Sequence, residues 1–299
     1  IALIFPDVYD IGMSYHGFKI LYEQINAHPR WAAERSFAPW PDMESLMRQQ
    51  GLPLFTLETK RPVQQLDVIG FTLQHEVNYT NVLNLIDLAG LPVESSKRKE
   101  AFPLVIAGGE GALAPEPLAP FMDLFVLGDG EEVLPRLMEM MQSLKAQEPA
   151  GKESVLKELS RLEGVYVPSL YEMEYCPDGT VKGLRARGDR SEDVQPVFKK
   201  AVYSFQEDMG PVRPVIPNLR VIHDRLAIEI RRGCARGCRF CSAGMITRPV
   251  RERSLEQIVQ AARRGIDNTG FDEISLLSLS SSDHTCILPT LQELHREFE

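Results

Sequence analysis

Three cysteines, Cys234, Cys238 and Cys241, fall within eight residues in the pattern Cys-x-x-x-Cys-x-x-Cys. Iron–sulfur clusters are bound by cysteine thiolates, and three thiolates on one loop can hold three corners of a [4Fe–4S] cluster. Such a cluster keeps one iron open to a small molecule. Gly233 and Gly237 permit the tight backbone path that this loop needs. Arg231, Arg232, Arg236 and Arg239 place positive charge beside the thiolates and offset the negative charge of a cluster. Zinc is the competing reading. A structural zinc site takes four ligands, and with only one Cys-x-x-Cys pair the fourth would have to be His223, His284 or Cys286. Of the other two cysteines, Cys176 reads as structural within a hairpin and Cys286 as a small buried residue near a helix start.

The elements that must position this loop are a strand before it and a β/α series after it. Leu226–Ile230 reads as the strand. Ser254, with Gln257 three residues on, has the pattern of a helix capping box, and Ile274–Leu279 is the next strand. Upstream, residues 1–150 alternate short apolar runs with helical patterns. Strands are expected at Ile1–Phe5, Trp31–Ala38, Leu54–Leu57, Val68–Leu73, Leu104–Ala107 and Leu124–Leu127. Helices are expected around Phe18–Ile25, from Pro41, over Tyr79–Ala89 and over Glu131–Leu144. The alternation predicts an α/β fold with a doubly wound, Rossmann-like parallel sheet. Residues 151–218 read as a β-containing connector: a helix over Lys152–Leu162, strands at Val165–Tyr175 and Val181–Arg187, then a stiff stretch with Pro211, Pro214 and Pro217. Residues 219–299 form the second β/α unit.

Composition narrows the function classes. The chain has 299 residues, 43% hydrophobic and 25% charged, which suits a globular protein with a substantial core. Its net charge of −9 argues against nucleic-acid binding by bulk electrostatics. Between 222 and 254, however, eight arginines face only Asp224, Glu229 and Glu252, a local excess that balances an anionic cluster or attracts RNA. No apolar run approaches a membrane span, and clustered cysteines in an acidic chain that opens on a strand point to a reducing, cytoplasmic setting.

The strand followed by Cys234-x-x-x-Cys238-x-x-Cys241, with Phe240 just before the last cysteine, resembles the radical S-adenosylmethionine (SAM) superfamily. The resemblance implies that the three cysteines ligate a [4Fe–4S] cluster and that the open iron chelates SAM. Reductive cleavage would then give methionine and a 5′-deoxyadenosyl radical that abstracts hydrogen, with an electron donor as partner. Phe240 and the segment Ser280, Ser281, Ser282 and Asp283 are expected to position SAM. That segment departs from the Gly-Gly-Glu-like sequence usual in the superfamily, and Asp283 is the expected acceptor for the ammonium, or else a cap or turn residue. Ala107–Leu118 and Phe125–Glu132 resemble the cobalamin-binding-type domain that precedes many such enzymes. On that likeness Thr72, Gly108, Gly109, Gly128 and Gly130 would face the cofactor, the glycines letting a flat group approach the backbone. Cobalamin is thus admitted as a further cofactor, although the first loop lacks Asp-x-His-x-x-Gly and His16 reads as a packing residue rather than a ligand. The resemblance implies three segments: a cobalamin-binding-like domain (1–150), the connector (151–218) and the first part of a radical SAM barrel (219–299). Two β/α units where the barrel has about six imply a fragment, incomplete as an active site. The reactions implied are methyl transfer with cobalamin, or methylthiolation or another modification of RNA or protein without it. A zinc-stabilised interaction module is the alternative from another class.

Overall fold

The computed structural model describes residues 1–147, 151–187, 197–203, 205, 210–211 and 213–298. In chain order the first elements are β1 (Ala2–Phe5), α1 (Tyr9–Gly12), α2 (His16–Asn26), β2 (Glu34–Phe37), α3 (Pro41–Gln50), β3 (Val68–Thr72) and α4 (Tyr79–Leu88). Next come β4 (Leu104–Gly108), β5 (Leu124–Val126), α5 (Gly130–Ala146), α6 (Lys152–Leu159), β6 (Val165–Tyr166), β7 (Tyr171–Tyr175) and β8 (Val181–Ala186). The last are β9 (Leu226–Glu229), β10 (Arg231–Arg232), α7 (Ala243–Ile246), β11 (Arg251–Glu252), α8 (Leu255–Thr269), β12 (Ile274–Leu277) and α9 (Ile287–Phe298).

Two compact units result, and they do not follow the linear division 1–150, 151–218 and 219–299. One comprises Ile1–Val8 and Ala32–Lys200; the other comprises Tyr9–Trp31 and Ala201–Glu299. The connector is therefore no separate body. Its helix and hairpin belong to the first unit, and the proline-bearing stretch belongs to the second.

The first unit is built on a six-stranded sheet in the order β2-β1-β3-β4-β5-β6, parallel from β2 to β5 with β6 antiparallel at the edge. This is the doubly wound order in which β1 and β3 flank the topological switch. Ile69, Phe71, Val105 and Ala107 share one core cluster with Met47 of α3 and Leu85 of α4. The alternate residues Leu104, Ile106, Leu124 and Val126 are buried as well, so both faces are covered and each strand reads as a continuous apolar run. A buried carboxylate fastens α6 to this sheet. Asp123 receives Arg98 at 2.9 Å, Lys152 at 2.6 Å and the backbone N–H of Val105 at 2.8 Å. Burial pulls the Lys152 ammonium below its ordinary pKa, against the attraction of Asp123.

Two expected strands differ. Leu54–Leu57 makes only an isolated bridge, Phe55 to Pro62, because Thr56 N–H turns back to the Arg61 carbonyl in a tight loop. Val165–Tyr175 is cut in two by a short helical turn at Pro168–Leu170, where proline has no N–H to offer a ladder.

In the second unit β9 and β12 pair in parallel, Leu226 opposite Ile274 through Glu229 opposite Leu277. The crossover is α8, whose Ile258, Val259 and Ala262 pack on Leu226, Ile228 and Ile230. Gly265 lies so close to Leu226 that a β-carbon there would meet its side chain at 2.6 Å. The expected capping box is present: Ser254 Oγ accepts the Gln257 N–H and Gln257 Oε1 accepts the Ser254 N–H. Tyr9–Trp31 joins this unit through long-range bonds, with the Asn218 N–H donating to the Tyr9 hydroxyl at 3.0 Å and the His223 N–H to Ser14 Oγ at 3.1 Å.

Candidate active site

The cysteine loop begins where β9 leaves the core. Ile230 is fully buried, and β10 then pairs antiparallel with β11, Arg231 opposite Glu252. A guanidinium fork closes the strand end: Arg232 Nε and a terminal nitrogen each lie 2.8 Å from the Glu229 carboxylate. Burial is the largest single influence and would raise the Glu229 pKa, but the Arg232 bonds and charge, with the His16 and Arg253 charges, together hold the carboxyl below its ordinary value. Gly233 makes the turn into the loop at φ +82°, with the Thr247 and Pro249 carbonyl oxygens 2.7 Å from where a β-carbon would stand. Only glycine fits there. Beyond it Cys234 and Cys241 are half-buried and Cys238 is exposed, all three as free thiols. The Cys241 N–H donates to the Cys238 carbonyl at 3.1 Å, closing the Cys-x-x-Cys turn, and Gly237 takes φ +67° between the first two thiols.

The facing wall is the hydroxyl-rich loop after β12. Ser278 and Ser281 hydroxyls are 2.9 Å apart, the Ser280 N–H donates to Ser278 Oγ at 3.2 Å, and the Ser280 hydroxyl donates to Asp283 Oδ2 at 2.8 Å. Arg236, between the first two cysteines, reaches this loop. Its Nε donates to Asp283 Oδ2 at 2.6 Å and a terminal nitrogen contacts the other carboxylate oxygen. Those bonds, and then Ser280, hold the Asp283 carboxyl far below the usual carboxylate range. The thiol loop thus meets Asp283, and through it Ser280, by way of Arg236. Ser282 is exposed, and Phe240 stands 93% exposed. Asp283 lies in the short helical turn Ser281–Asp283, and both of its oxygens take the Arg236 guanidinium.

The residues offered as a fourth zinc ligand are otherwise placed. His284 is buried with both ring nitrogens engaged, Nε2 to the Arg253 carbonyl at 3.0 Å and Nδ1 accepting the Cys286 N–H at 3.1 Å. The His223 ring lies 3.4 Å from Arg225. Cys286 is exposed rather than buried, just before α9. Among the described residues no group of three or more His, Cys, Asp or Glu side chains is gathered to hold one metal ion. A four-iron cluster makes a different demand, since each thiolate binds its own iron, and three free thiols on one exposed loop suit that donor set.

In the first unit Thr72 and Gly108 lie opposite each other at the ends of β3 and β4, Gly128 follows β5, and Gly130 opens α5. The space beside two of the glycines is filled by the chain itself. A β-carbon at Gly109 (φ +109°) would strike the Leu73 carbonyl, and one at Gly128 (φ +101°) would strike the Lys200 backbone, to which Gly128 is bridged. At Gly109 and Gly128 the close approach of protein backbone by itself requires glycine. At the β1/β3 switch, Asn78 and Asn81 amides donate to the Pro6 carbonyl at 3.2 and 2.9 Å, joining the exit of β1 to the start of α4. His75 and Glu76 stand exposed beside them.

Residues 17–168 match the family of N-terminal regions of radical SAM proteins, and residues 228–297 match the radical SAM superfamily. The chain belongs to the radical SAM proteins. That places it in an enzyme superfamily, and the second match contains the cysteine loop and the serine loop together. Among relatives of this radical SAM chain, the uncharacterized protein MJ0966 of Methanocaldococcus jannaschii is 22% identical over 295 residues, covering 96% of this chain and 51% of that protein. The ribosomal protein uS12 methylthiotransferase RimO of Elusimicrobium minutum is 28% identical over 144 residues, 48% of this chain and 31% of that one. In fold the chain resembles the radical SAM methyltransferase TsrM of Kitasatospora setae, solved with cobalamin and a [4Fe–4S] cluster. The TM-score is 0.56 at 13% identity, over 99% of this chain and 50% of TsrM. TsrM has also been solved with tryptophan and a SAM analogue, aza-SAM, at a TM-score of 0.55. The chain spans about half the length of MJ0966 and of TsrM and a smaller share of RimO.

Proposed function

We propose that this radical SAM chain holds a [4Fe–4S] cluster through Cys234, Cys238 and Cys241, with SAM on the open iron. Phe240 and the Ser280–Asp283 loop flank it. When bound, the cluster and SAM supply one-electron radical chemistry, the electron coming from an external donor in a reducing compartment. The chain's own residues do the positioning. Gly233 aims the loop away from the core, the Glu229–Arg232 fork fixes its first turn, and Arg236 places positive charge beside Cys234 and Cys238. The observation that carries this reading is the meeting of three free thiols with the hydroxyl-rich loop through Arg236 and Asp283. We assign the first unit as cobalamin-binding-like, with Thr72, Gly108 and Gly130 on the cofactor side, and the reaction as cobalamin-assisted methyl transfer. The doubly wound strand order and the likeness to TsrM, which was solved with cobalamin, support this. Methylthiolation is the second reading, supported by the likeness to RimO.

Anaerobic reconstitution with iron and sulfide tests the site by composition rather than by turnover. The expected product is brown, with about four irons and matching sulfide per chain, and Cys238→Ala loses both. Stoichiometric zinc without sulfide would overturn the assignment in favour of a zinc-stabilised module. Gel filtration with hydroxocobalamin tests the first unit: co-elution is expected, and a corrin-free protein peak removes methyl transfer through cobalamin.

A further inference from the structure

The thiol loop is fastened at Arg236 to a residue 47 positions later. The two ends of this contact differ. Arg236 is on the exposed side, its side chain 65% accessible, whereas Asp283 is 14% accessible and locked from several directions. Ser280 donates to it at 2.8 Å, and Arg231, itself buried, lies 3.7 Å from its Oδ2 and donates to the Ser280 carbonyl at 3.3 Å. Arg231 also lies 3.1 Å from Glu252 Oε1, and the other Glu252 oxygen accepts the Thr285 N–H at 3.2 Å and hydroxyl at 2.6 Å. Asp283 is thus the fixed post of a network spanning β10, β11 and the loop after β12. A two-pronged guanidinium–carboxylate contact constrains orientation as well as distance, which a single lysine contact would not.

We propose that Arg236 and Asp283 are positioning residues, a clamp that sets the thiol loop against the hydroxyl-rich loop and so orients an amino-acid-type ligand on the open iron. This rests on reading the loop as a cluster and SAM site. It reassigns Asp283 from recognising the ligand's ammonium to holding the loop that carries the iron. The two roles predict opposite signs for Arg236. If Asp283 bound the ammonium, the guanidinium would be its competitor, and removing it would tighten binding. If the pair is a clamp, losing either partner loosens binding, and losing both costs no more than losing one.

The test uses the reconstituted chain, with SAM titrated against the electron paramagnetic resonance spectrum of the reduced cluster. Arg236→Met and Asp283→Asn are each expected to weaken SAM by about fivefold. The double variant should match the singles, and Arg236→Lys should recover part of the loss. Tighter binding in Arg236→Met, or losses that add in the double variant, would overturn the clamp. A second readout needs no cluster. Amide hydrogen exchange across residues 234–241 of the metal-free chain should quicken alike in both single variants, and unchanged exchange in either overturns the proposal. A wild-type chain that takes up no iron and sulfide would sink the cluster reading, while the exchange measurement would still read the clamp.

Discussion

His16 opens α2, with its Nε2 buried and the Glu229, Arg232, Arg253 and Lys19 charges around it. Burial pushes its pKa down to about 4; the Glu229 carboxylate opposes this, and Lys19, Arg232 and Arg253 add to it. The ring is therefore neutral in the folded chain at neutral pH, as suits a packing residue. An unfolded histidine titrates near 6.5, so between there and about pH 4 only the unfolded chain takes the proton. Stability should fall as pH drops through that window, by about 3 kcal/mol, and the histidine should contribute no further slope below it. Urea titrations at pH 7, 5.5 and 4.5 check this. His16→Gln should flatten the decline, and an equal slope in the variant would assign it to another group. Gly233 makes a sharper demand, because Gly233→Ala places a methyl against the Thr247 and Pro249 carbonyls. Its expected result is lower iron uptake on reconstitution with the thiols intact.

At the scale of elements, the capping box of α8 invites a plain measurement. Ser254→Ala removes the acceptor for the Gln257 N–H, and a loss of about 1 kcal/mol is expected in denaturant unfolding. This helix start was legible because its signals are local: a cap residue, its partner three residues on, and an apolar face behind them. The buried strands were legible for a similar reason, since Val68–Thr72 and Leu104–Gly108 are covered on both faces and carry uninterrupted apolar runs. Leu54–Leu57 is equally apolar, but Thr56 and Arg61 close a loop on each other, and that contact has no periodic trace. The candidate site divides the same way. Spacing alone marks Cys234, Cys238 and Cys241, whereas the pairing of Arg236 with Asp283 depends on the paths of two loops that no local pattern records. At Gly109 and Gly128 the sequence cannot tell a close approach of protein backbone from one of a ligand, because both ask for the same residue.

For the whole molecule, Asp123 tests how the part after α5 is joined to the sheet. Its carboxylate is fully buried and paired with Arg98 and Lys152. Asp123→Ala leaves two buried cations uncompensated, a change expected to cost about 3–5 kcal/mol. Chemical denaturation should show the shift, and a variant as stable as the parent would mean that the Asp123 pairs do not hold α6 to the sheet. The other long-range join is the excursion of Tyr9–Trp31 into the second unit, which takes the chain across between units at 8/9, 31/32 and 200/201. On a ribosome this order imposes a wait. The partners of Tyr9 and Ser14 lie 209 residues downstream, and at roughly 5–20 residues per second they are made some 10–40 s later. During that interval Tyr9 and Ser14 lack these two donors, so Tyr9–Trp31 waits for the rest of its own unit until residues 201–299 have been synthesised.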